Sequence, residues 1–553
     1  EVNVGLIPGA GGTQRLPRLI GVEAALDMAA GGTMLSAERF ETLGGLDRVF
    51  DGPVAEAAAS FVHDLPPRPA SVSRRPAPVP DDAMIADRRA DLVKRARGQR
   101  SPLHNLDAVA WSALPFEEGQ RRERDLHLAL RDSAESRAMR HAFFAERAVA
   151  RPDAIRPAAP RDIADIAIVG GGLMGAGIAT AALGAGYAVT VIERDAEAAD
   201  AARTRIAANI DGALSRGRID ADEAARQMAA LATVDDYSAS ADCGLAIEAV
   251  FEDADVKRAV FRDLAARMAG DAILATNTSY LDPTLIFEGI ARPDRCIGLH
   301  FFSPAHIMKL LEVVRLPDTS PETLATGFAM AKRLRKVAVM SGICDGFIGN
   351  RMLAAYRRAA EYMLADGALP QQVDTAMRGF GMAMGPFEAQ DMSGLQIAEA
   401  NRRRQDATRD PAERYVEIAD RICARGRFGQ RAGKGWYRYD GGSRAPQPDA
   451  EVTDLIEGYS RERGIERRVF SESDIQARLL AVLANEGARI VAEGIADGDG
   501  AIDVVQLNGY GFPRWRGGPM FAAGEAGAGA IRAALDALDA AGPGSWPRAE
   551  RYA

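Results

Sequence analysis

The sequence predicts an α/β chain in which a parallel, doubly wound sheet is followed by two tandem all-α domains. From about residue 163, short apolar runs alternate with helical segments, which is the pattern of parallel strands connected by helices. After Gly346 the strand signals stop and helical patterns dominate. A weak internal repeat in this last part indicates that the helical unit occurs twice.

The sheet is predicted from short apolar runs and one amphipathic helix. The helix over Asp253–Met268 carries its apolar residues on one face, as a helix packed on a sheet requires. The candidate strands are Ile166–Val169, Val189–Ile192, Leu245–Val250, Ile273–Thr276, Ile297–Phe302 and Val337–Met340.

The repeat consists of an aspartate, a Gly-aromatic-Gly group and a Gly-Pro pair, preceded in each copy by a long helix, Ile348–Leu364 or Ile475–Glu493. The first copy contains Asp374, Gly379-Phe380-Gly381 and Gly385-Pro386, and the second contains Asp503, Gly509-Tyr510-Gly511 and Gly518-Pro519.

The part of the chain before the sheet is predicted to contain a linker and helices. Leu65–Asp82 holds six prolines in a polar stretch, which is typical of a linker. The charged run Arg121–Arg124 is expected on a solvated helix face. The predicted core residues of the helices over 105–150 are Leu126, Leu130, Phe143 and Phe144. The predicted segments are 1–65, 66–160 with the linker and connecting helices, 161–344 with the sheet, and 345–440 and 441–553 with the helical copies.

Composition excludes several classes of protein. The formal net charge of −9 argues against nucleic-acid binding. No run of 18 apolar residues occurs, so no membrane span is expected. The four cysteines are scattered without a CxxC pair, so buried reduced thiols are expected rather than disulfides or a metal site. We therefore predict a cytoplasmic protein, of bacterial origin, that holds no metal.

The first candidate strand enters a glycine turn with the spacing G-x-G-x-x-G. Gly170 permits the tight turn, Gly172 lets the backbone approach a pyrophosphate, and Gly175 lets the next helix pack close to the strand. The helix that begins around Leu173 and Met174 offers unpaired N–H groups to phosphates. The turn therefore predicts a Rossmann-type dinucleotide site.

The second candidate strand identifies the dinucleotide. It ends in Glu193, 18 residues past Gly175, where a carboxylate that binds the ribose hydroxyls belongs. An acid at this point favours NAD over NADP, although the adjacent Arg194 weakens the preference.

A dehydrogenase that oxidises an alcohol needs a base for the hydroxyl proton while hydride leaves the carbon. His300 ends a candidate strand, and strand ends of this kind of sheet face the ligand crevice. This position alone does not distinguish a base from a core residue. Glu312 stands among apolar residues, and a carboxylate there either is exposed or orients the imidazole and stabilises its protonated form.

Two further residues are candidates for holding the substrate. Asn277-Thr278-Ser279 ends another candidate strand at the same edge, so Ser279 either bonds a substrate oxygen or caps a helix. Asn350 begins the first helical copy and has no counterpart in the second. This difference predicts that one helical copy completes the site and the other supports it.

These residues stand in motifs that resemble the 3-hydroxyacyl-CoA dehydrogenases, in the fused form of the multifunctional fatty-acid β-oxidation enzymes. The resemblance runs from about Gln120 to the end of the chain. The motifs are Gly170–Gly177, Asn277–Ser279, His300–Pro304, Gly346–Arg351 and Gly385–Phe387.

The resemblance implies a role for each of these residues. His300 is the implied general base, Glu312 is its partner, and Ser279 and Asn350 position the substrate. Tyr280 departs from the family, because a small residue is common there, and it would narrow the acyl pocket. Ser303 stands where single-function members carry Asn. The cofactor contacts are placed at Glu252, Lys257 and Asn277, in addition to the glycine loop.

Residues 1 to about 52 resemble the second half of a crotonase-fold enoyl-CoA hydratase domain. Glu1 matches one of two catalytic glutamates, while the other and the oxyanion-hole N–H groups would lie upstream. Hydration needs an acid/base pair and a stabilised enolate oxygen together. We therefore expect an N-terminally truncated chain with little hydratase activity.

The predicted function is NAD-dependent oxidation of an L-3-hydroxyacyl-CoA to the 3-oxoacyl-CoA. Three alternatives remain open: the C-terminal part of a bifunctional hydratase (a lyase), a scaffold that holds a thiolase subunit, and another hydroxyacid dehydrogenase on the same fold. The predicted partners are an acyl-CoA thioester and either a thiolase subunit or further copies of the chain.

Overall fold

The computed structural model describes residues 1–63, 65, 71–411 and 413–553. These residues divide into two compact units, one of Glu1–Phe143 with Arg514–Gly517 and one of Phe144–Pro513 with Gly518–Ala553. The predicted linker over Leu65–Asp82 lies partly outside the described residues. Within them, no helix combines the length and the apolar character that crossing a membrane would need.

The first part of the chain is helical, as predicted. An apolar core in the first unit is formed around Ala25, Leu26 and Leu106, which are at most 3% exposed. Glu1 lies exposed just before a short 3-10 turn, Val2–Val4. The helices are α1 (Gly12–Ile20), α2 (Val22–Ala29), α3 (Ala37–Thr42), α4 (Val54–His63), α5 (Asp82–Ala96), α6 (Ser101–Ala110), α7 (Phe116–Arg131) and α8 (Ala134–Val149).

Two predictions for these helices are wrong. Glu123, expected on a solvated face, is buried, because its carboxylate accepts the N–H groups of Gly11 at 2.6 Å and Thr13 at 2.8 Å. These bonds satisfy the charge that burial would otherwise leave unpaired. Phe144, expected in the core, is 62% exposed, whereas Leu130 is buried as predicted.

The sheet contains the six predicted strands and two that the sequence pattern did not indicate, β3 and β7. Its order is β3-β2-β1-β4-β5-β6-β7-β8. The strands are β1 (Asp165–Val169), β2 (Ala188–Ile192), β3 (Leu231–Val234), β4 (Leu245–Glu248), β5 (Ile273–Thr276), β6 (Cys296–Phe301), β7 (Leu310–Val314) and β8 (Val337–Ser341).

Helices cover both faces of the sheet, which confirms the doubly wound arrangement. One apolar core includes residues of α9, α10 and α14, and the core on the opposite face includes residues of α12 and α13. The helices of this region are α9 (Leu173–Gly184), α10 (Ala196–Ser215), α11 (Ala221–Ala229), α12 (Ala254–Arg267), α13 (Pro283–Ile286) and α14 (Pro321–Arg333).

The prediction of a wholly parallel sheet is wrong at one edge. Strands β3 to β6 are parallel, but β7 runs antiparallel to β6, and β8 is parallel to β7. The reversal places His300 directly opposite Glu312 in the ladder. Directly opposed residues of an antiparallel pair present their side chains on the same face.

The helical part follows β8 and shares one apolar core, in which α15 packs against α21. Its helices are α15 (Gly349–Asp366), α16 (Pro370–Phe380), α17 (Pro386–Ser393), α18 (Leu395–Gln405), α19 (Ile418–Cys423), α20 (Ala450–Glu462), α21 (Glu472–Ala492), α22 (Asp499–Gly509), α23 (Pro519–Ala526) and α24 (Ala528–Asp539).

The predicted repeat has a structural counterpart in two buried aspartates. Asp374 on α16 accepts the N–H groups of Phe387 and Glu388 at the start of α17, both at 2.9 Å. Asp503 on α22 likewise accepts the first N–H groups of α23, from Met520 at 2.7 Å and Phe521 at 3.3 Å. Each aspartate therefore caps the helix that follows it in its own copy.

Candidate active site

The glycine loop between β1 and α9 is closely packed at two of its glycines and open at the third. Gly170 has φ +95°, and a Cβ there would lie 2.8 Å from the carbonyl oxygen of Ala249. A Cβ on Gly175 would lie 1.7 Å from the carbonyl oxygen of Gly170. A Cβ on Gly172 would meet no atom within 4 Å. The loop therefore needs glycine for its own fold at two positions and leaves space beside Gly172.

The helix α9 begins directly after Gly172, and its first backbone N–H groups have no partner within the helix. Leu173 is 61% exposed, while Met174 packs against the core of the sheet. The carboxylate of Glu193, at the end of β2, accepts the N–H of Gly171 at 2.6 Å. Glu193 therefore lies beside the loop, as the sequence predicted, and the open cradle fits a dinucleotide.

A buried ion pair supports the loop that leads to the helix α12. The Lys257 ammonium is 1% exposed and lies 2.6 Å from Glu248 and 3.2 Å from Glu252. Burial raises the pKa of Glu252, but the charge of Lys257 and a hydrogen bond from Thr278 outweigh it and lower that pKa below its usual value. Lys257 is thus a buried partner of both carboxylates. Of the two glutamates, Glu248 is buried and Glu252 reaches the surface.

Asn277 connects the ends of β5 and β6. Its side-chain oxygen accepts the N–H of Phe301 at 2.8 Å, next to His300. Two residues further on, the N–H of Ser279 donates to Glu252 at 2.8 Å, which fixes the turn. The Ser279 hydroxyl is half-buried and makes no hydrogen bond within the described part of the chain. It is therefore available to a ligand.

The imidazole of His300 forms a buried pair with Glu312. His300 Nδ1 lies 2.7 Å from Glu312 Oε2, and the two residues are 3% and 0% exposed. The second oxygen of Glu312 accepts the N–H of Gly349 at 2.8 Å, at the start of α15. Nε2 of His300 has no hydrogen-bond partner among the described residues. With the carboxylate accepting from Nδ1–H, Nε2 is left as the proton acceptor.

Aromatic rings fix the imidazole from its sides. Phe302 and Phe347 lie 4.5 Å and 5.6 Å from His300 between ring centroids. Phe347 is 1% exposed, so water is excluded from this side of the pair. The apolar surroundings strengthen the interaction between imidazolium and carboxylate.

Asn350 follows Gly349 on α15 and is held by a residue that sequence reasoning missed. Tyr510, just after α22, donates its hydroxyl to Asn350 Oδ1 at 3.1 Å. The Tyr510 ring also packs edge-on against Phe302, with centroids 5.7 Å apart. Burial raises the pKa of Tyr510 well above its usual value, so the hydroxyl stays protonated and donates. The sequence feature that could have indicated Tyr510 is the internal repeat, in which Tyr510 stands where the first copy has Phe380.

Three of the four predicted catalytic residues are therefore linked through short contacts. His300 bonds Glu312, which bonds the helix start that carries Asn350. Ser279 has no direct hydrogen bond to these three within the described residues. However, its neighbour Tyr280 and Asn350 line the same cavity, of about 500 Å³.

Comparison with known families and proteins identifies the family of this chain. The family model of the 3-hydroxyacyl-CoA dehydrogenase NAD binding domain matches residues 165–344, and that of the 3-hydroxyacyl-CoA dehydrogenase C-terminal domain matches residues 346–439. The chain is 38% identical over 554 residues to the peroxisomal bifunctional enzyme of Danio rerio, spanning 95% of this chain and 76% of that protein. It is 34% identical over 563 residues to the peroxisomal fatty acid beta-oxidation multifunctional protein MFP2 of Arabidopsis thaliana, spanning 97% and 76%.

Solved structures show the same fold. The 3-hydroxybutyryl-CoA dehydrogenase of Escherichia coli is similar with a TM-score of 0.60 and 25% identity, over 71% of this chain and 97% of that chain. The dehydrogenase part of multifunctional enzyme 1 from C. elegans is similar in fold with a TM-score of 0.56 and 24% identity, over 74% and 96%.

One prediction is overturned by these relatives. The expectation of a cytoplasmic, bacterial protein is wrong, because the relatives named above are peroxisomal proteins of an animal and a plant. The expected truncation of a hydratase domain stays a prediction. The same holds for the role of Glu1, which lies exposed in the first unit.

Proposed function

Because this chain belongs to the 3-hydroxyacyl-CoA dehydrogenase family, in its fused hydratase–dehydrogenase form, we propose that it oxidises L-3-hydroxyacyl-CoA to 3-oxoacyl-CoA with NAD in fatty-acid β-oxidation. The observation that carries the proposal is the buried pair of His300 and Glu312, which leaves Nε2 of the imidazole as the proton acceptor. A base of this kind is what oxidation of a secondary alcohol requires.

In the proposed reaction, Nε2 of His300 removes the proton of the C3 hydroxyl. The C3–H bond breaks as the C3–O bond becomes a carbonyl, and NAD, when bound, supplies the acceptor for the leaving hydride. Glu312 stabilises the imidazolium that forms and keeps Nδ1 protonated. In the reverse direction the same imidazolium returns the proton to the alkoxide.

Two donors position the substrate in this proposal. The Ser279 hydroxyl and the Asn350 amide hold substrate oxygens, so that the hydroxyl stays within reach of His300. Ser279 lies three residues after β5, and Asn350 lies on α15. Since Tyr510 occupies Asn350 Oδ1, the Asn350 NH2 group is left to donate.

The proposed cofactor contacts follow the glycine loop. Gly170–Gly175 and the start of α9 take the pyrophosphate, and Glu193 takes the ribose hydroxyls. In this proposal Glu252, which is ion-paired with Lys257, contacts the cofactor. Asn277, which follows β5, is a second contact.

The test follows NADH absorbance with acetoacetyl-CoA as substrate. His300→Gln is expected to lower kcat by about 10²- to 10⁴-fold, the contribution of a positioned acid or base, with NADH affinity retained. His63→Gln, an exposed histidine of the first unit, is the matched control and should leave kcat unchanged. A wild-type protein that binds NADH without turnover, or an unimpaired His300→Gln variant, would contradict the proposal.

The partners are also proposed rather than tested. The 3-oxoacyl-CoA product is the compound that thiolytic cleavage consumes, which supports a thiolase subunit as the partner; further copies of the chain are the alternative. Molar mass in solution by light scattering, with and without a thiolase, would distinguish these states.

A further inference from the structure

The turn that carries Ser279 is fixed at its backbone by one carboxylate. The N–H groups of Ser279 and Tyr280 donate to Glu252 at 2.8 Å and 3.1 Å, and the Thr278 hydroxyl donates to the same oxygen at 2.6 Å. These bonds engage neither the Ser279 hydroxyl nor the Tyr280 ring. The side chain of Tyr280 is therefore held by another part of the chain.

The Tyr280 ring contacts an arginine of the first helical copy. The guanidinium carbon of Arg404 lies 5.4 Å from the centroid of the ring, which is the distance of a cation–π contact. Burial raises the pKa of Tyr280, so the ring that faces this cation is an uncharged phenol at neutral pH. Arg404 belongs to α18, whereas Tyr280 follows β5. The contact therefore joins the substrate turn of the sheet to the helical part of the chain.

Arg404 is itself held in one orientation by hydrogen bonds. One of its terminal nitrogens donates to both oxygens of Asp345, at 2.6 Å and 2.7 Å, and the same nitrogen lies 2.9 Å from Asn401 Oδ1. The Gln405 amide also donates to Asp345, at 3.0 Å. Asp345 lies in the connection between β8 and α15. Because charge-assisted bonds of this kind are directional, the guanidinium can act as a fixed support for the ring.

This contact lies beside the proposed substrate site. Tyr280, Asp345 and Asn350 line the same cavity of about 500 Å³. The residue that precedes Tyr280 is Ser279, and Asn350 is the second proposed substrate donor. A small residue, which is common in the family at the position of Tyr280, has no ring that could reach α18. The contact therefore depends on the residue at which this chain departs from the family pattern.

We propose that Tyr280 is a positioning residue, whose ring, packed against Arg404, fixes the turn so that the Ser279 hydroxyl is presented to the substrate. Tyr280 acts through Ser279 and takes no part in the transfer of the proton or the hydride. One cation–π contact adds little to global stability, but a group that binds the reacting substrate must be held close to its productive geometry. Loss of the contact therefore affects kcat/KM more than the melting temperature. The inference rests on the proposed dehydrogenase function.

The test measures kcat/KM for NADH-dependent reduction of acetoacetyl-CoA. Tyr280→Leu removes the ring and Arg404→Met removes the cation, so each should lower kcat/KM by about 2- to 5-fold, as expected for a cation–π contact. The double variant should be no worse than either single variant, because both changes break the same contact. Tyr280→Phe keeps the face of the ring and should retain the wild-type value.

A second cycle tests whether Tyr280 acts through Ser279. In a Ser279→Ala background, Tyr280→Leu should cause no further loss of kcat/KM, whereas a contribution to pocket shape or folding would persist without the hydroxyl. Additive losses therefore overturn the inference.

Arg403→Met is the matched control, since Arg403 is the preceding residue of α18 and its guanidinium is bound by Glu399 at 2.5 Å. This variant should keep the wild-type kcat/KM, and all variants should keep the wild-type melting temperature. Arg404→Met, at a side chain that is 41% exposed, decides the question if Tyr280→Leu does not fold. Full activity of Arg404→Met overturns the inference and leaves the proposed function intact, whereas a wild-type protein without turnover refutes that function.

Discussion

Tyr510 donates its hydroxyl to the side-chain oxygen of Asn350 across 3.1 Å, although the two residues are 160 positions apart in the chain. The bond engages the oxygen of the Asn350 amide, so that its NH2 group is the end left to donate to the proposed substrate. A Cβ on the preceding residue, Gly349, would lie 2.4 Å from the same hydroxyl, so the contact also requires glycine there. The second helical copy thus acts as the support that the sequence predicted.

Removal of this hydroxyl should weaken catalysis without removing a group that touches substrate. We expect Tyr510→Phe to lower kcat/KM by about tenfold, the value of one hydrogen bond, and to leave NADH affinity unchanged. A double-mutant cycle with Asn350→Ala checks the mechanism, since the two effects should not add. Additive losses would mean that Tyr510 acts elsewhere.

The charge of Glu312 should matter more than its shape. Glu312→Gln keeps an acceptor for the Gly349 N–H but cannot stabilise the imidazolium, so we expect kcat to fall by about 10²-fold or more. NADH binding, followed by fluorescence, should not change. A variant with normal kcat would show that His300 works without its carboxylate.

Two glycines of the loop should respond differently to alanine. In Gly175→Ala the new Cβ would collide with the Gly170 carbonyl oxygen, so the melting temperature should drop, by an amount that corresponds to about 1–3 kcal/mol. Gly172→Ala meets no protein atom and should keep the wild-type melting temperature, yet lower NADH affinity by about tenfold because the Cβ intrudes on the pyrophosphate. Equal behaviour of the two variants would contradict this division of roles.

The buried Glu361 should make stability depend on pH. Its pKa is raised by burial to about 7, above the value in the unfolded chain, so the folded state binds the extra proton between these values. Ionisation of Glu361 as pH rises through about 7 therefore costs stability, and Glu361→Gln should remove this loss. Melting temperatures at about pH 5 and pH 8 measure it. If the melting temperatures of the wild-type protein and of Glu361→Gln changed equally from about pH 5 to pH 8, the assignment would be refuted.

Local patterns predicted much of the fold and of the site. The glycine loop, the strand that ends at Glu193 and the strand that ends at His300 each carry a short-range signal. Strand β7 does not, because Glu312 interrupts its apolar run, and its direction depends on pairing with β6. The short edge strand Leu231–Val234 was missed for a different reason, since only Leu231 of its four residues is buried.

Long-range contacts were the part that no local pattern could predict. Glu123 belongs to a charged run, and only the N–H groups of Gly11 and Thr13, more than a hundred positions away, explain why it is buried. Tyr510 is comparable, since its repeat position was visible in the sequence but its hydrogen-bond partner was not.

The antiparallel pairing of β6 with β7 has a consequence for how this enzyme can be altered. His300 and Glu312 meet through main-chain register, not through the loop of residues 302–309 that joins their strands. Lengthening that loop beyond Phe302, whose ring packs against His300, would leave the pair assembled. A single-residue insertion inside either strand would instead shift the register, so that the imidazole and the carboxylate no longer lie on the same face. The part of the loop beyond Phe302 is therefore the place for grafting new segments, and the two strands with Phe302 are the part that an engineer must leave untouched.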